Sequence, residues 1–491
     1  MKQRFFAVDI SRCHPHGIPC PTDMEYARVA NSVYSIIHDN IRDAEPDELR
    51  WMALKTALYM EDIVAELGVW ESFVRKNLEL FGREVPFYSR PSEYWMNEPN
   101  LNDIRFVLWS AAMEERKCKI INPETPALME AADRVYDYLF SCFENLSINE
   151  RLSESIFRRE IFDNFLMQRD LLKWIYLDCW LTRGRMSEDY MEQLEDELSE
   201  IYSDADDSQL YYAVECISCF KFKIGPLAMY PKDYLALFLR TRQMDECAEM
   251  VESQAFHEIS IYKMDTWNRE EVCLQDVSEK RLVVKTEYFD DGIETTLSKT
   301  SHCVGSYVKY DGSWRVNGIT SWGNLDKQFQ LLRLENRPEK GMDKTSFDKL
   351  TSLAHGEKLL FAKDMEDVRK IYRKAGLGEF LSDLNGEDSD YKDVVIYIDS
   401  LEYGICIINN AAKIIKSPYN PYYDPRSVGM NECLSPLVNP DAFPGELVHY
   451  LVEKDYLPDA ALNSVYGIER GREIVQENKD FIARFFRQNS Y

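Results

Sequence analysis

At 491 residues the chain is too long for one hydrophobic core, so several domains are expected. Its content of 45% apolar and 13% aromatic residues is ample to fill them. A net charge of −27, from 85 acids against 58 bases, repels phosphate backbones and disfavours nucleic-acid binding. No stretch approaches the roughly 18 apolar residues of a membrane span.

The N-terminus, Met1-Lys2-Gln3-Arg4-Phe5-Phe6, lacks the apolar core of a secretory signal. Next comes the most ligand-like cluster of the chain, Cys13-His14-Pro15-His16 with Cys20. Two thiols and two imidazoles are zinc ligands, but the spacing matches no zinc pattern and adjacent Cys and His seldom converge on one ion. A structural loop without metal is therefore expected. The twelve cysteines are irregularly spaced in apolar surroundings and read as reduced thiols of a cytoplasm.

Positions 22–252 predict helix after helix. Thr22-Asp23-Met24-Glu25 starts the first, with an acid near the N-terminal dipole. Pro46-Asp47-Glu48 opens a long helix toward Phe81, interrupted at Gly68. Further helices are expected near 101–116, 125–144, 151–182, 187–202, 208–222 and 232–252. No repeat period appears. The acid-rich stretch 186–207 has apolar residues on one face and acids on another, as a solvated helix does. Asp204–Asp207 lacks the Gly and distant Glu of a calcium loop. Cys216 and Cys219 have redox spacing but sit inside a helical pattern with no preceding strand.

Two charges break the helical patterning. Leu54, Ala57, Leu58, Val64 and Ala65 all fall within about 60° of Glu61 on a helical wheel. Leu101, Leu108, Trp109 and Ala112 flank Arg105 in the same way. An unpaired buried charge is strongly unfavourable, so Glu61 and Arg105 are expected to contact each other. The functional version of this reading is a polar pocket where Glu61, Arg105, Asn102 and Asp103 meet a small ligand.

Beyond position 271 the pattern turns to short β-branched and aromatic runs. Val272–Val277, Arg281–Phe289, Ile293–Ser298, Ser306–Tyr310 and Trp314–Ser321 are expected strands. Asp290-Asp291-Gly292 and Asp311-Gly312-Ser313 serve as turn signals. Together they predict a small antiparallel barrel, with Trp314 in its core and Trp322 at its rim. Acids outnumber bases in the segment, which argues against an oligonucleotide groove. Glu335–Thr345 reads as linker. An α+β unit follows: a strand at Lys358–Ala362, a helix at Asp364–Ala375, a polar loop at Asn385–Tyr391, strands Val394–Asp399 and Gly404–Asn409 across a Ser400–Tyr403 turn, and helices Pro444–Lys454 and Arg470–Arg487. Asn420-Pro421-Tyr422-Tyr423-Asp424-Pro425 is a rigid loop whose tyrosines suit ligand contact, making Tyr422, Tyr423 and Asp424 candidates.

The fold class is thus α+β: a helical domain at 1–255, a small β-barrel at 268–330 and an α+β domain at 346–491. No Gly-rich phosphate loop, nucleophile elbow or paired catalytic set occurs, and the seven histidines lie scattered, so no cofactor is implied. The ordered runs Tyr59–Val64, Gly68–Val74, Val85–Tyr88 and Asn102–Trp109, with Asn420–Asp424 and Pro444–Leu451 near the end, resemble a bacterial domain family of unknown function known mainly from gut anaerobes. The resemblance implies a cytoplasmic bacterial protein and assigns no residue a role. The expectation is a non-catalytic interaction or scaffold protein with a protein partner. The rival is an enzyme or small-ligand binder at Glu61 and Arg105.

Overall fold

The computed structural model describes residues 4–89, 94–116, 120–202, 205–335, 344–378, 391–400 and 404–491. The chain divides into two compact units, Met1–Arg333 and Leu334–Tyr491.

Among the described residues the first unit begins with twelve α-helices. They are α1 (Ala7–Ser11), α2 (Asp23–Asn40), α3 (Pro46–Val64), α4 (Val69–Phe81), α5 (Leu101–Glu115), α6 (Pro126–Cys142), α7 (Glu150–Phe157), α8 (Phe165–Leu177), α9 (Ser187–Ile201), α10 (Asp207–Lys221), α11 (Pro231–Thr241) and α12 (Asp245–Glu252). Local chemistry sets their ends. Pro46 enters α3 at its first turn, ahead of Asp47 and Glu48. Asn149, Asn164 and Asp206 cap α7, α8 and α10 through their side chains. The expected interruption at Gly68 is present, since that residue takes φ +82° and separates α3 from α4. Helix α3 is the centre of the bundle. It packs against α2 and α5, and residues on every side of it are buried.

The chain turns to strand directly after α12. Strands β1 (Ala255–Trp267), β2 (Glu271–Gln275), β3 (Arg281–Lys285), β4 (His302–Tyr310), β5 (Ser313–Val316) and β6 (Ser321–Gly323) form one sheet. β1 pairs with both β2 and β4, so β1-β2-β3-β5-β4 closes into a five-stranded ring, with β6 alongside β4. The β3–β5 contact is parallel and the other pairings are antiparallel. Tyr262, Val272, Leu274, Leu282, Val284, Cys303 and Tyr307 fill the interior. Trp314 and Trp322 are both half-buried against it, so Trp314 is less enclosed than expected.

Two details depart from the sequence reading. β1 supplies a long first strand upstream of position 268. Ile293–Leu297, expected as strand, is a short helix α13, because Gly292 at φ +81° starts a helical turn followed by Glu294. The turn at Asp311-Gly312 does join β4 to β5, with both residues at positive φ. Hydrogen bonds tie the barrel to the helices. Tyr310 donates to Phe162 O (2.7 Å), Asn317 to Cys216 O (2.8 Å) and Tyr202 to Ile319 O (3.1 Å). The barrel and the twelve helices accordingly share the first unit.

Helix α14 (Asp326–Glu335) spans the division. The second unit holds α15 (Lys344–Leu353), β7 (Leu359–Asp364), α16 (Met365–Ala375), β8 (Lys392–Ser400), β9 (Gly404–Ile408), α17 (Met430–Val438), α18 (Gly445–Glu453) and α19 (Ile468–Arg487). β7, β8 and β9 form an antiparallel sheet, and α15 and α16 pack on it through Leu350, Val368 and Tyr372. Asp364 caps α16 and Gly376 closes it. The architecture is α+β, as expected. The Glu335–Thr345 linker, the Asn385–Tyr391 loop and the Ser400–Tyr403 turn lie largely outside the described residues. Among the described residues no helix is long and apolar enough to cross a membrane.

Candidate functional site

Glu61 sits deep in the helical bundle, 1% exposed. Its Oε2 lies 2.9 Å from His14 Nε2, and its Oε1 accepts from Asn149 Nδ2 at 2.7 Å. Asn149 does two jobs, because its Oδ1 also caps α7 by accepting from Leu152 N at 3.1 Å. His14 Nδ1 faces the carbonyl oxygen of Ile18 at 3.1 Å. Both ring nitrogens thus meet acceptors, which suits the doubly protonated imidazolium. Burial opposes that charge, but hydrogen bonds to Cys20 and Glu61 and the Glu61 charge outweigh it, raising the His14 pKa to about 10.

Asp23 and Cys20 complete the cluster. Asp23 Oδ2 accepts from Cys20 N at 2.8 Å, and Asp23 Oδ1 lies 3.8 Å from His14 Nδ1. Burial raises the Asp23 pKa. The ligand-like residues Cys13, His14, His16 and Cys20 do not all converge. His16 is exposed, and Cys13 Sγ turns to Asp9 O. His14, Cys20 and Asp23 come together instead, with one ligand atom of each within 4.8 Å of the others.

Glu61 and Arg105 are not partners, which corrects the expected pair. Helix geometry explains why. Trp51, Lys55 and Tyr59 recur every four residues and form the α3 face that meets α5: Trp51 and Lys55 donate to Glu114, and Tyr59 donates to Asp103. Glu61 is two residues beyond Tyr59, about 200° round the helix, and so faces away from α5. Arg105 keeps its stem on the bundle and sends its guanidinium outward, 19% exposed, to Asp133 of α6 at 3.0 Å and to Asn102 Oδ1 at 3.2 Å. Asn102 also donates to Ser89 O at 2.9 Å.

Asp103 belongs to a separate polar knot between α3, α4 and α5. It is fully buried and accepts from Tyr59 (3.0 Å), Trp70 Nε1 (2.9 Å), Tyr94 (3.0 Å) and Asn100 (3.2 Å). Burial pushes its pKa up to about 7, and those donors hold it from rising further. Asp62 caps α4 through the backbone N–H groups of Val69 (3.1 Å) and Trp70 (2.6 Å); burial raises its pKa to about 7 as well. Beside it opens a cavity of about 350 Å³ lined by Asp62, Glu66, Glu71, Asn97, Thr241 and Arg242. The buried Lys55–Glu114 pair shows the same cost of desolvation, which lowers the lysine pKa and raises that of the glutamate.

The second unit carries the tyrosine loop. Asn420 Nδ2 donates to Ala412 O (2.6 Å) and Ile415 O (2.7 Å), and its Oδ1 accepts from Tyr422 N. Asp424 N bonds Lys413 O at 3.0 Å. Tyr422 and Tyr423 are half-buried and Asp424 is exposed. Asn420 builds this turn, whereas the sequence drew attention to the tyrosines. The Cys216 and Cys219 thiols are buried in α10, with Cys219 Sγ bonded to Cys216 O. Sequence reasoning passed over His14 and Asn149 as partners of Glu61, and Asp23 as a neighbour of His14. The apolar wheel marked Glu61, but nothing in helical periodicity reaches a loop imidazole or a cap.

No curated protein and no solved structure matches the chain. The model of a family described as "Protein of unknown function (DUF3843)" matches residues 4–282 and 321–488. That span covers most of the sequence and includes Glu61, His14, Asp103 and the tyrosine loop, so this chain belongs to the DUF3843 family.

Proposed function

We propose that the protein is a non-catalytic interaction or scaffold protein of a bacterial cytoplasm. One observation carries the reading: Val465, Tyr466 and Ile468 stand 68%, 70% and 49% exposed at the start of α19. Large apolar side chains clustered in water suit a partner surface better than a monomer. Free thiols throughout the described residues support a reducing compartment. The buried charges are consistent with architecture, since Glu61 and Asp103 spend their oxygens on internal donors.

The test is affinity capture from native cytoplasm with the full chain and with a Val465→Asp/Tyr466→Asp variant, analysing bound proteins and small molecules together. The expected result is a protein partner held by the parent chain and lost by the variant. A stoichiometric metabolite with no protein partner overturns the proposal. It would favour the second reading, a small-ligand binder or enzyme. That reading is supported by the cavity beside Asp62, which lies one residue from Glu61 but contains neither Glu61 nor Arg105.

A further inference from the structure

The segment from His14 to Asp23 brings an imidazole, a thiol and a carboxylate together within ten residues of chain. All three are buried: His14 2%, Cys20 8% and Asp23 2% exposed. Asp23 Oδ2 is held by the Cys20 N–H. Its other oxygen, Oδ1, is buried and has no hydrogen-bond partner among the described residues. It points to the same space as His14 Nδ1, 3.8 Å away. A buried carboxylate oxygen left bare is costly, and such an atom asks for a cation. Thr22 Oγ1, next in the chain, is likewise buried without a partner.

We infer that His14 Nδ1, Cys20 Sγ and Asp23 Oδ1 bind a zinc-class divalent metal ion, with Glu61 holding the imidazole from behind. Tetrahedral zinc with bonds of about 2.0 Å to N and O and 2.3 Å to S puts its ligand atoms roughly 3.3–3.8 Å apart. One ligand atom from each of the three residues lies within 4.8 Å of the others, and His14 Nδ1 is 3.8 Å from Asp23 Oδ1, so the site needs only a small closure. One nitrogen, one sulfur and one oxygen form a borderline-soft set that selects zinc over magnesium or calcium. Glu61 takes the place that a carboxylate behind a metal-bound histidine occupies: its Oε2 accepts the Nε2 proton at 2.9 Å and leaves Nδ1 for the ion. Binding replaces the Nδ1 proton, which otherwise faces Ile18 O, and the Cys20 thiol proton; both leave to solvent. The fourth position falls to a water.

Cobalt(II) titration of the full-length, chelator-stripped chain tests this. The expected result is one equivalent bound, with tetrahedral visible bands and a thiolate-to-cobalt charge-transfer band, both erased by one equivalent of zinc. Cys20→Ser should remove the charge-transfer band, and Asp23→Asn should weaken binding at least tenfold. Glu61→Gln should weaken binding about 10–100-fold while keeping the band, as loss of a hydrogen bond behind a ligand does. Cys13→Ser should leave the titration unchanged. Circular dichroism of each variant separates loss of the site from loss of the fold. Absence of a thiolate band in the parent chain overturns the inference without any variant, and so does a band that survives Cys20→Ser.

Discussion

His14 Nε2 and Glu61 Oε2 meet at 2.9 Å with both side chains 2% exposed or less, joining a loop that precedes the first long helix to the last turn of the central one. The contact satisfies a charge that the apolar face of α3 could not otherwise hold. Glu61→Ala leaves the imidazolium buried without its counter-charge and should cost about 3–5 kcal/mol. All nine tryptophans lie between positions 51 and 322, so fluorescence during urea unfolding follows the first unit alone. A loss below about 1 kcal/mol, the scale of an exposed pair, would contradict the burial argument.

Asn149→Asp separates capping from charge. Asp caps a helix as well as Asn does, so α7 keeps its start. The new carboxylate, however, faces Glu61 Oε1 where an amide now donates at 2.7 Å. The variant should lose about 3 kcal/mol or more at neutral pH, the scale of an uncompensated buried charge. It should recover on acidification, as one carboxyl takes a proton. Equal stability of Asn149→Asp and the parent across pH would show that Glu61 does not sense position 149.

Asp103 gives the first unit a pH dependence of definite sign. Its folded pKa is raised from the ordinary 3.8 to about 7. Between those values the folded chain keeps a proton that the unfolded chain releases. Its contribution to stability is therefore greatest below about pH 4, falls as pH rises toward 7, and is flat above that. The slope it adds is at most about 1.4 kcal/mol per pH unit. Asp103→Asn removes this slope while disturbing the four donors around it. Parallel stability-against-pH curves for variant and parent would rule the effect out.

Gly68 adopts φ +82°, and a Cβ there would lie 2.8 Å from Thr241 Cγ2. The left-handed backbone alone costs an alanine roughly 1–2 kcal/mol. Gly68→Ala should exceed that, and adding Thr241→Ser should return part of the loss by removing the methyl group. A second substitution that restores nothing would place the whole cost in the backbone.

Arg105 offers the contrast. Its partner Asp133 is 55% exposed. Asp133→Ala should shift stability by less than about 1 kcal/mol, as solvent-screened pairs do. Thermal unfolding of the two single variants, Asp133→Ala and Glu61→Ala, should rank them clearly apart.

The helical run, the closed barrel and the three-stranded sheet were readable because each rests on local rules: periods of 3.6 and 2, caps and turn residues. The break at Gly68 and the hairpin at Asp311-Gly312 follow from glycine alone. Ile293–Leu297 misled because β-branched residues after Asp-Asp-Gly fit a strand and a short capped helix equally well. Burial of Glu61 was legible from its apolar wheel. Its partner was not, because the answer depended on which face of α3 looked at α5, and an isolated wheel carries no such direction. Arg105 showed the opposite limit: a long side chain on an apolar arc can leave that arc at its tip. His14 was noticed for its neighbours Cys13 and His16, whereas space joined it to Asp23 and Glu61.

The bond from Asn149 to Glu61 also sets a clock. The two residues are 88 positions apart, and His14 lies 47 positions before Glu61. At roughly 5–20 residues per second, a growing chain carries Glu61 for about 4–18 s before Asn149 is even made. Throughout that interval α3 has one neutralising partner already synthesised and the other still to come. The central helix cannot be sealed in the order it is translated, so the nascent chain waits with that helix half-assembled until α7 arrives.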